Sequence, residues 1–161
     1  MPSTVLETHY ETDLSQPSPA AGFARNVDEL PVEGGTHPVV GNVTWKTLIC
    51  ADRTPSSGML LGIAEFPAHG VLNPHRHEPA EFYFCTIGYG VVTVEGVEHP
   101  IRPGTAIYVP GNAEHGVKAG PDGMTFVYGF SENAFSDVAY AFSSQDNVVD
   151  LSAHRQESEI T

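Results

Sequence analysis

The stretch PHRHEPAE, residues 74–81, decides the fold of this chain and points to its chemistry. His75 and His77 are two residues apart, so their side chains share a face only where the backbone is extended. The carboxylate of Glu81 follows a proline-containing turn and can rejoin that face. A third histidine, His115, comes after a Pro-Gly turn and belongs to another predicted strand. Three imidazoles and one carboxylate form a mixed nitrogen and oxygen set that suits a divalent first-row metal.

The rest of the composition favours an all-β architecture. The chain has 161 residues, enough for one domain with a buried core. Its 16 glycines and 13 prolines separate short runs rich in Val, Ile, Phe and Tyr, which is typical of strands joined by turns. The predicted strands cover residues 39–51, 59–66, 82–87, 91–95, 97–101, 105–109 and 124–130. Short strands at this spacing favour a closed barrel or a double-sheet jelly roll, and closure removes exposed sheet edges.

The chain divides into three predicted segments. Residues 1–21 are a polar arm rich in Ser and Pro, which is either mobile or an added edge strand. Residues 22–142 are the β-barrel domain. Residues 143–161 are a polar tail, and the sequence leaves open whether it is a short helix or disordered.

Charge and composition exclude several function classes. The 20 acidic and 7 basic residues give a net charge of −13, which repels nucleic-acid phosphates and anionic membrane surfaces. The first ten residues contain neither a basic start nor an apolar run, so we predict no signal peptide and a cytoplasmic location. Two cysteines, Cys50 and Cys85, are too few for a disulfide scaffold. We expect Cys85 to be a small buried side chain rather than a nucleophile.

The two motifs together resemble those of the cupin superfamily. The first reads Gly70, His75, His77, Glu81 and Gly88, and the second reads Gly104, Pro110, Asn112 and His115. The chain departs from the family in three small ways: four residues rather than five follow Gly70, Asn112 replaces a glycine, and an asparagine that follows the last histidine in the family is absent. Asparagine tolerates positive φ better than most residues, so the turn at Asn112 can be kept.

The resemblance covers roughly residues 40–130 and carries several implications with it. It implies a single jelly-roll β-barrel with one divalent transition metal inside, which could be Fe, Mn, Ni or Zn. The implied metal ligands are His75, His77, Glu81 and His115, with further coordination positions open to water or substrate. It also implies a homodimer, in which the arm at residues 1–21 could add a strand across the interface.

Tyr83 is the candidate catalytic residue. Alternation from Glu81 places Tyr83 on the inward face of its strand, next to the predicted metal. A nearby divalent cation would lower the pKa of its hydroxyl and make it a candidate base. The alternative interpretation is an ordinary tyrosine that fills the barrel. Trp45, Phe66 and Tyr128 are our candidates for a substrate-binding cavity wall, since aromatic side chains dominate burial.

The pattern His-x-His-x-x-x-Glu-x-Tyr is similar to that of the small dimethylsulfoniopropionate lyases within the superfamily. That similarity implies β-elimination from a small carboxylate, with the metal as Lewis acid and Tyr83 as base. The same ligand set is also compatible with a dioxygenase or decarboxylase, and with an isomerase or cyclase of a secondary metabolite. A non-catalytic domain that binds a small molecule is the fourth hypothesis.

Overall fold

The computed structural model describes residues 21–144, the backbone of residues 148–149, and Leu151. The predicted arm, apart from residue 21, lies outside the described residues, as does most of the predicted tail. No helix in the described part of the chain is long and apolar enough to cross a membrane. Because most of the predicted arm and tail lie outside the described residues, the three-segment division stays a prediction.

The described residues form one antiparallel sheet with little helix, which confirms the all-β prediction. The strands are β1 (Glu33–His37), β2 (Gly41–Ile49), β3 (Leu60–Phe66), β4 (Val71–Arg76), β5 (Glu81–Val94), β6 (Val97–Ile101), β7 (Ala106–Val109), β8 (His115–Phe130), β9 (Tyr140–Phe142) and β10 (Val148–Val149). Short 3-10 helices occupy Val27–Glu29 and Phe135–Asp137.

The sheet closes on itself through β4. Strand β2 pairs with β3, β3 pairs with β8, and β4 pairs with both β8 and β2. The continuous order is β10-β9-β4-β2-β3-β8-β5-β6, with β1 on β2 and β7 on β5. The ring β2-β3-β8-β4 therefore closes on β2. Closure leaves few strand edges unpaired, which is the advantage of a closed β architecture.

Alternation along β5 shows which face looks inward. Glu81, Tyr83 and Cys85 are buried, whereas Phe82 and Phe84 between them are exposed. The interior side chains come from every main strand, and many are aromatic, which gives the core a large apolar area. The buried carboxylate of Glu81 lies inside this apolar surrounding, a costly position unless a partner or an ion compensates it.

Several strands differ from the prediction in their length. Strand β5 continues through Gly88, where we expected it to end, because register shifts at Cys85/Ile87 and Gly88/Gly90 let it bend without breaking. Strand β8 begins at His115, which we expected on or next to a strand, and it continues without a break into the predicted strand 124–130. Strand β4 begins at Val71, in a stretch where we predicted no strand. Strand β10 lies inside the segment 143–161, for which a short helix or disorder was expected.

Candidate metal centre

Three of the four predicted ligands lie on three different strands, and the fourth directly follows one of these strands. His75 lies near the end of β4, directly opposite His115 at the first residue of β8. His77 follows β4 by one residue, and Glu81 begins β5. All four side chains are buried. One ligand atom from each residue lies within 4.8 Å of the others, so the fold brings together the whole predicted set.

Backbone carbonyls fix the orientation of all three imidazole rings. The Nδ1 atoms of His75, His77 and His115 lie 2.8, 2.9 and 2.9 Å from the carbonyl oxygens of Asn73, Pro79 and Ala113, respectively. A carbonyl oxygen can only accept a hydrogen bond, so each Nδ1 carries the proton. Each Nε2 then presents a lone pair to the centre, which is the form that binds a metal.

The centre consequently contains more hydrogen-bond acceptors than hydrogen-bond donors. The Nε2 atoms of His77 and His115 lie 3.0 and 3.2 Å from Oε2 of Glu81, which is itself an acceptor. His75 Nε2 has no hydrogen-bond partner among the described residues. A proton could bridge Glu81 to one histidine but would leave His75 unsatisfied. One divalent cation would satisfy all four groups, and three nitrogens with one carboxylate are ligands that such cations accept.

The protonation states also suit a cation. Burial, together with the neighbouring His115, lowers the pKa of His75 to about 3. Burial alone would raise the pKa of Glu81, but hydrogen bonds that His115 and His77 donate when their Nε2 atoms carry a proton outweigh burial and lower it to about 2. At neutral pH His75 is therefore neutral and Glu81 is ionised. These are the states that metal coordination requires.

A small cavity of about 40 Å³ borders the centre. His75 and Glu81 form one part of its wall, so a cation held by the four ligands would be within reach of the cavity. The rest of the wall is largely aromatic, and it contains neither a lysine nor an arginine. The remaining lining residues are Val43, Trp45, Ala64, Leu72, Tyr83, Phe126, Tyr128, Phe135, Tyr140 and Leu151.

Tyr83 lies in the cavity wall, where its ring stacks on Phe126 with a centroid separation of 4.2 Å. The ring centroid is 6.2 Å from that of His115. Burial, and after it the carboxylate of Glu81, raises the pKa of Tyr83 well above its ordinary value. The protein alone therefore favours the neutral phenol. Any lowering of this pKa has to come from the positive charge of a bound cation.

Comparison with known proteins agrees with this geometry. Residues 62–128 match the model of the cupin domain family. The chain is 46% identical over 135 residues to dimethylsulfoniopropionate lyase DddW of Ruegeria pomeroyi, an alignment that covers 83% of this chain and 89% of the relative.

The chain belongs to the cupin superfamily. Solved structures support the jelly-roll fold of this cupin. A predicted oxalate decarboxylase from Thermotoga maritima superposes with a TM-score of 0.61 at 19% identity, covering 68% of this chain and 99% of the other. The polyketide cyclase RemF from Streptomyces resistomycificus superposes with a TM-score of 0.58 at 20% identity, covering 81% and 85%. At such low identity the two structures establish the fold alone.

The structure of this cupin sorts the predicted substrate-binding residues into two groups. Trp45 and Tyr128 line the cavity. Phe66 does not line it, because its ring packs in the core against Phe126 at a centroid distance of 5.4 Å. Cys85 is buried as expected, and burial raises the pKa of its thiol, which disfavours the nucleophilic thiolate.

Sequence reasoning missed the contribution of the C-terminal segment. Tyr140 lines the cavity with ring centroids 5.3 and 5.2 Å from His75 and His77, and Phe135 and Leu151 complete that side. The alternation of Tyr140 and Phe142 around Ala141 was a usable strand signal. Three residues are a short strand, however, and nothing in them indicates pairing with β4.

Proposed function

We propose that this cupin is a metal-dependent lyase that eliminates a leaving group from Cβ of a small carboxylate. The observation that carries the proposal is the buried set of three oriented imidazoles and one carboxylate, which lacks a balancing positive charge. The similarity to a dimethylsulfoniopropionate lyase over most of both chains supports this reaction class. Dimethylsulfoniopropionate is the first substrate to test.

The four ligands would hold one divalent transition metal, for which Fe, Mn, Ni and Zn all accept such donors. When bound, the cation supplies Lewis acidity, which stabilises the negative charge that grows on a substrate carboxylate as a Cα proton leaves. Three acceptors whose rings are already oriented need little rearrangement to bind it. Elemental analysis of purified protein would give the metal and its stoichiometry.

Tyr83 is our proposed base. In the elimination, its deprotonated hydroxyl oxygen takes the Cα proton, the electrons of that C–H bond form the Cα=Cβ double bond, and the leaving group departs with the electrons of its bond to Cβ. From dimethylsulfoniopropionate the products are acrylate and dimethyl sulfide. Tyr83 lines the same cavity as Glu81 and His75, which supports this role because a base must reach the substrate.

The cavity wall suits a substrate with a positive charge on its leaving group. Aromatic faces attract onium cations through cation–π interactions. The lining residues Trp45, Phe126, Tyr128, Phe135 and Tyr140 supply such faces, and no basic side chain in the wall would repel the cation. The net charge of −13 also favours the approach of a cationic group. The buried Nε1 of Trp45 has no partner among the described residues, which supports a contact with substrate.

The lyase proposal is tested by incubating metal-loaded protein with dimethylsulfoniopropionate and measuring dimethyl sulfide by gas chromatography. We expect Tyr83→Phe to lower turnover by a factor of about 100 or more, the contribution of a positioned base, while metal content stays unchanged. Tyr89→Phe is the matched control, since Tyr89 is exposed on the outer surface.

Near-normal turnover by Tyr83→Phe would remove Tyr83 as the base. A wild-type protein that binds metal and releases no dimethyl sulfide with any of the four metals would contradict the substrate. Oxygen uptake with a candidate substrate would instead favour the dioxygenase alternative, and tight ligand binding without turnover would favour a binding domain.

We also propose that the protein is a homodimer that pairs through the outer face of β7, β5 and β8. Tyr108, Phe82 and Gly129 are cross-strand neighbours on this face, and Phe84 and Val127 form the next row. Tyr108 is 70% exposed, and Phe82 and Phe84 are each 42% exposed. None of these positions is charged, so two copies that each carry −13 can approach through this face with the least repulsion.

A further inference from the structure

A group of charged side chains lies outside the metal centre and joins the segments that carry its ligands. Arg76 stands between His75 and His77, but its side chain points outward and is 47% exposed. Its Nη1 donates to Oε1 of Glu95 at 3.0 Å and to the carbonyl oxygen of Asn112 at 2.9 Å. Its Nη2 lies 3.7 Å from Oε2 of Glu114. We call Arg76, Glu95 and Glu114 the outer network.

The outer network spans the two segments that carry His77 and His115. Asn112 and Glu114 belong to the turn that leads into His115, so Arg76 reaches from one histidine segment to the other. The backbone reinforces this link, because the amide of Asn112 donates to the carbonyl oxygen of His77 at 2.8 Å. Glu114 is held in turn by the hydroxyl of Ser143, which donates to Oε2 at 2.6 Å.

Glu95 connects the same turn to the β5–β6 hairpin. Its Oε1 accepts from Arg76 and from the backbone amide of Glu114, and its own amide donates to the carbonyl oxygen of Glu114 at 2.8 Å. The end of β4, the turn that leads into β8 and the β5–β6 hairpin therefore converge on the carboxylate of Glu95. That convergence has no part in the chemistry proposed above, so it needs an explanation of its own.

The backbone at Glu95 shows that this glutamate occupies an unfavourable position. Its φ is +46°, and that of Gly96 is +78°. A two-residue hairpin with both central residues at positive φ is normally Asn-Gly or Asp-Gly, because a longer side chain gains no local hydrogen bond there. A glutamate at this position is explained by the length of its side chain, which lets the carboxylate contact Arg76 and the amide of Glu114. Asn112, which Arg76 also contacts, is likewise at positive φ, +61°.

We infer that the outer network is a positioning device that holds the His77 and His115 segments at the separation that a bound metal requires, and so slows the release of the metal. The inference rests on the proposed metal centre. The carbonyls that orient His77 and His115 belong to Pro79 and Ala113, in the same two segments. A change in the distance between the segments would therefore shift both Nε2 atoms relative to Glu81.

The outer network is exposed enough that it contributes little to global stability. The side chains of Arg76, Glu95 and Glu114 are 47%, 56% and 37% exposed, and ion pairs exposed to solvent contribute little to the stability of a fold. Loss of an outer contact around a metal site can lower metal affinity by about 10- to 100-fold. Removal of Arg76 should therefore alter the metal site far more than it alters the fold.

The experiment compares the rate of Zn²⁺ release from wild type, Arg76→Ala, Arg76→Lys and Arg102→Ala. Release is followed as Zn²⁺ transfers to an excess of a chromophoric chelator, and the thermal midpoint of each metal-free protein is measured alongside. Arg102 is the matched control because it is an exposed arginine between β6 and β7, outside the outer network. Its substitution changes the net charge by the same amount.

We expect Arg76→Ala to release Zn²⁺ about ten times faster than wild type, the lower limit of the effect of outer contacts. Arg102→Ala should release Zn²⁺ at the wild-type rate. The release rate of Arg76→Lys should lie between those of wild type and Arg76→Ala, because a lysine keeps the charge but cannot reach all three acceptors. The metal-free midpoint of Arg76→Ala should stay close to that of Arg102→Ala. In a double-mutant cycle, Glu95→Gln should add little to Arg76→Ala.

Equal release rates from Arg76→Ala and Arg102→Ala would overturn the inference. Faster release with a matching fall in the metal-free thermal midpoint would also overturn it, since the arginine would then be a general stabiliser. Failure of the wild type to bind Zn²⁺, Mn²⁺, Fe²⁺ or Ni²⁺ would be a different result, because it would remove the metal centre itself.

Discussion

At the scale of single residues, the metal centre depends on which nitrogen of each histidine carries the proton. Sequence spacing was enough to predict all four ligand candidates, because His75 and His77 must share a face of an extended segment. It could not predict the carbonyl that orients each ring. Those contacts depend on the bends of the backbone around Asn73, Pro79 and Ala113, which no residue pattern encodes.

The lowered pKa of His75 predicts a pH-dependent stability for the metal-free protein. The folded chain leaves His75 neutral down to pH of about 3, whereas the unfolded chain protonates it near 6.5. Between these values the unfolded state binds more protons, so the free energy of unfolding falls as the pH falls. The slope from one histidine is about 1.4 kcal/mol per pH unit. Glu81, with its pKa lowered to about 2 from 4.5, adds to the loss below pH 4.5.

Urea unfolding of metal-free protein between neutral pH and pH of about 5 would measure this slope. We expect His75→Gln to flatten it and His99→Gln, a substitution outside the metal centre, to leave it as in wild type. A slope that is the same in His75→Gln and wild type would contradict the assignment.

At the scale of strands and turns, local signals predicted hairpins but not long-range pairing. The predicted strands 91–95 and 97–101 flank Gly96, because glycine at a hairpin turn is a strong local signal. Strand β1 was missed because it contains two adjacent glycines. It is held instead by the buried Glu33, which pairs with Arg53 at 2.7 Å across 20 residues of sequence. Breaks were predicted within β5 because its bulges resemble turns in the sequence.

The segment that follows β8 contributes one wall of the cavity, and the substitution Leu151→Ala tests how much the cavity depends on this segment. Leu151 is buried and lines the cavity with Phe135 and Tyr140. We expect Leu151→Ala to lower the free energy of unfolding by about 2 kcal/mol, the lower limit for a buried leucine. We also expect it to raise the KM for dimethylsulfoniopropionate, with metal content unchanged.

Urea unfolding and steady-state kinetics measure both effects of Leu151→Ala. The matched control is Val32→Ala, which shortens a half-exposed apolar side chain away from the cavity. Unchanged stability and KM in Leu151→Ala would show that the segment beyond β9 is dispensable for the site.

At the scale of the whole molecule, the distribution of charge matters more than its total. A net charge of −13 disfavours nucleic-acid binding, but it does not show where a partner could approach. The exposed aromatic face of β5 and β7 became visible only with the strand register. Phe82 and Tyr108 are 26 positions apart and become neighbours only when β5 pairs with β7.

The proposed dimer is tested by placing a charge on that face. We expect Tyr108→Glu to convert a dimer to a monomer, because each copy would then present an unpaired carboxylate in an apolar interface. Light scattering coupled to size-exclusion chromatography measures the mass directly. Tyr89→Glu is the control, since Tyr89 is 48% exposed but lies outside this face, against Gly120. A monomeric wild type, or a dimeric Tyr108→Glu, would contradict the proposed interface.

The position of His75 opposite His115 has a consequence for how the molecule comes apart. These two residues lie where β4 meets β8, at the pairing that closes the ring of strands. A cation held by both would fasten β4 to β8 across this pairing, so the ring could open here only after the cation left. Emptying the centre and opening the ring would then be consecutive stages of one event, and the side chains proposed for chemistry would also govern how long the native state lasts.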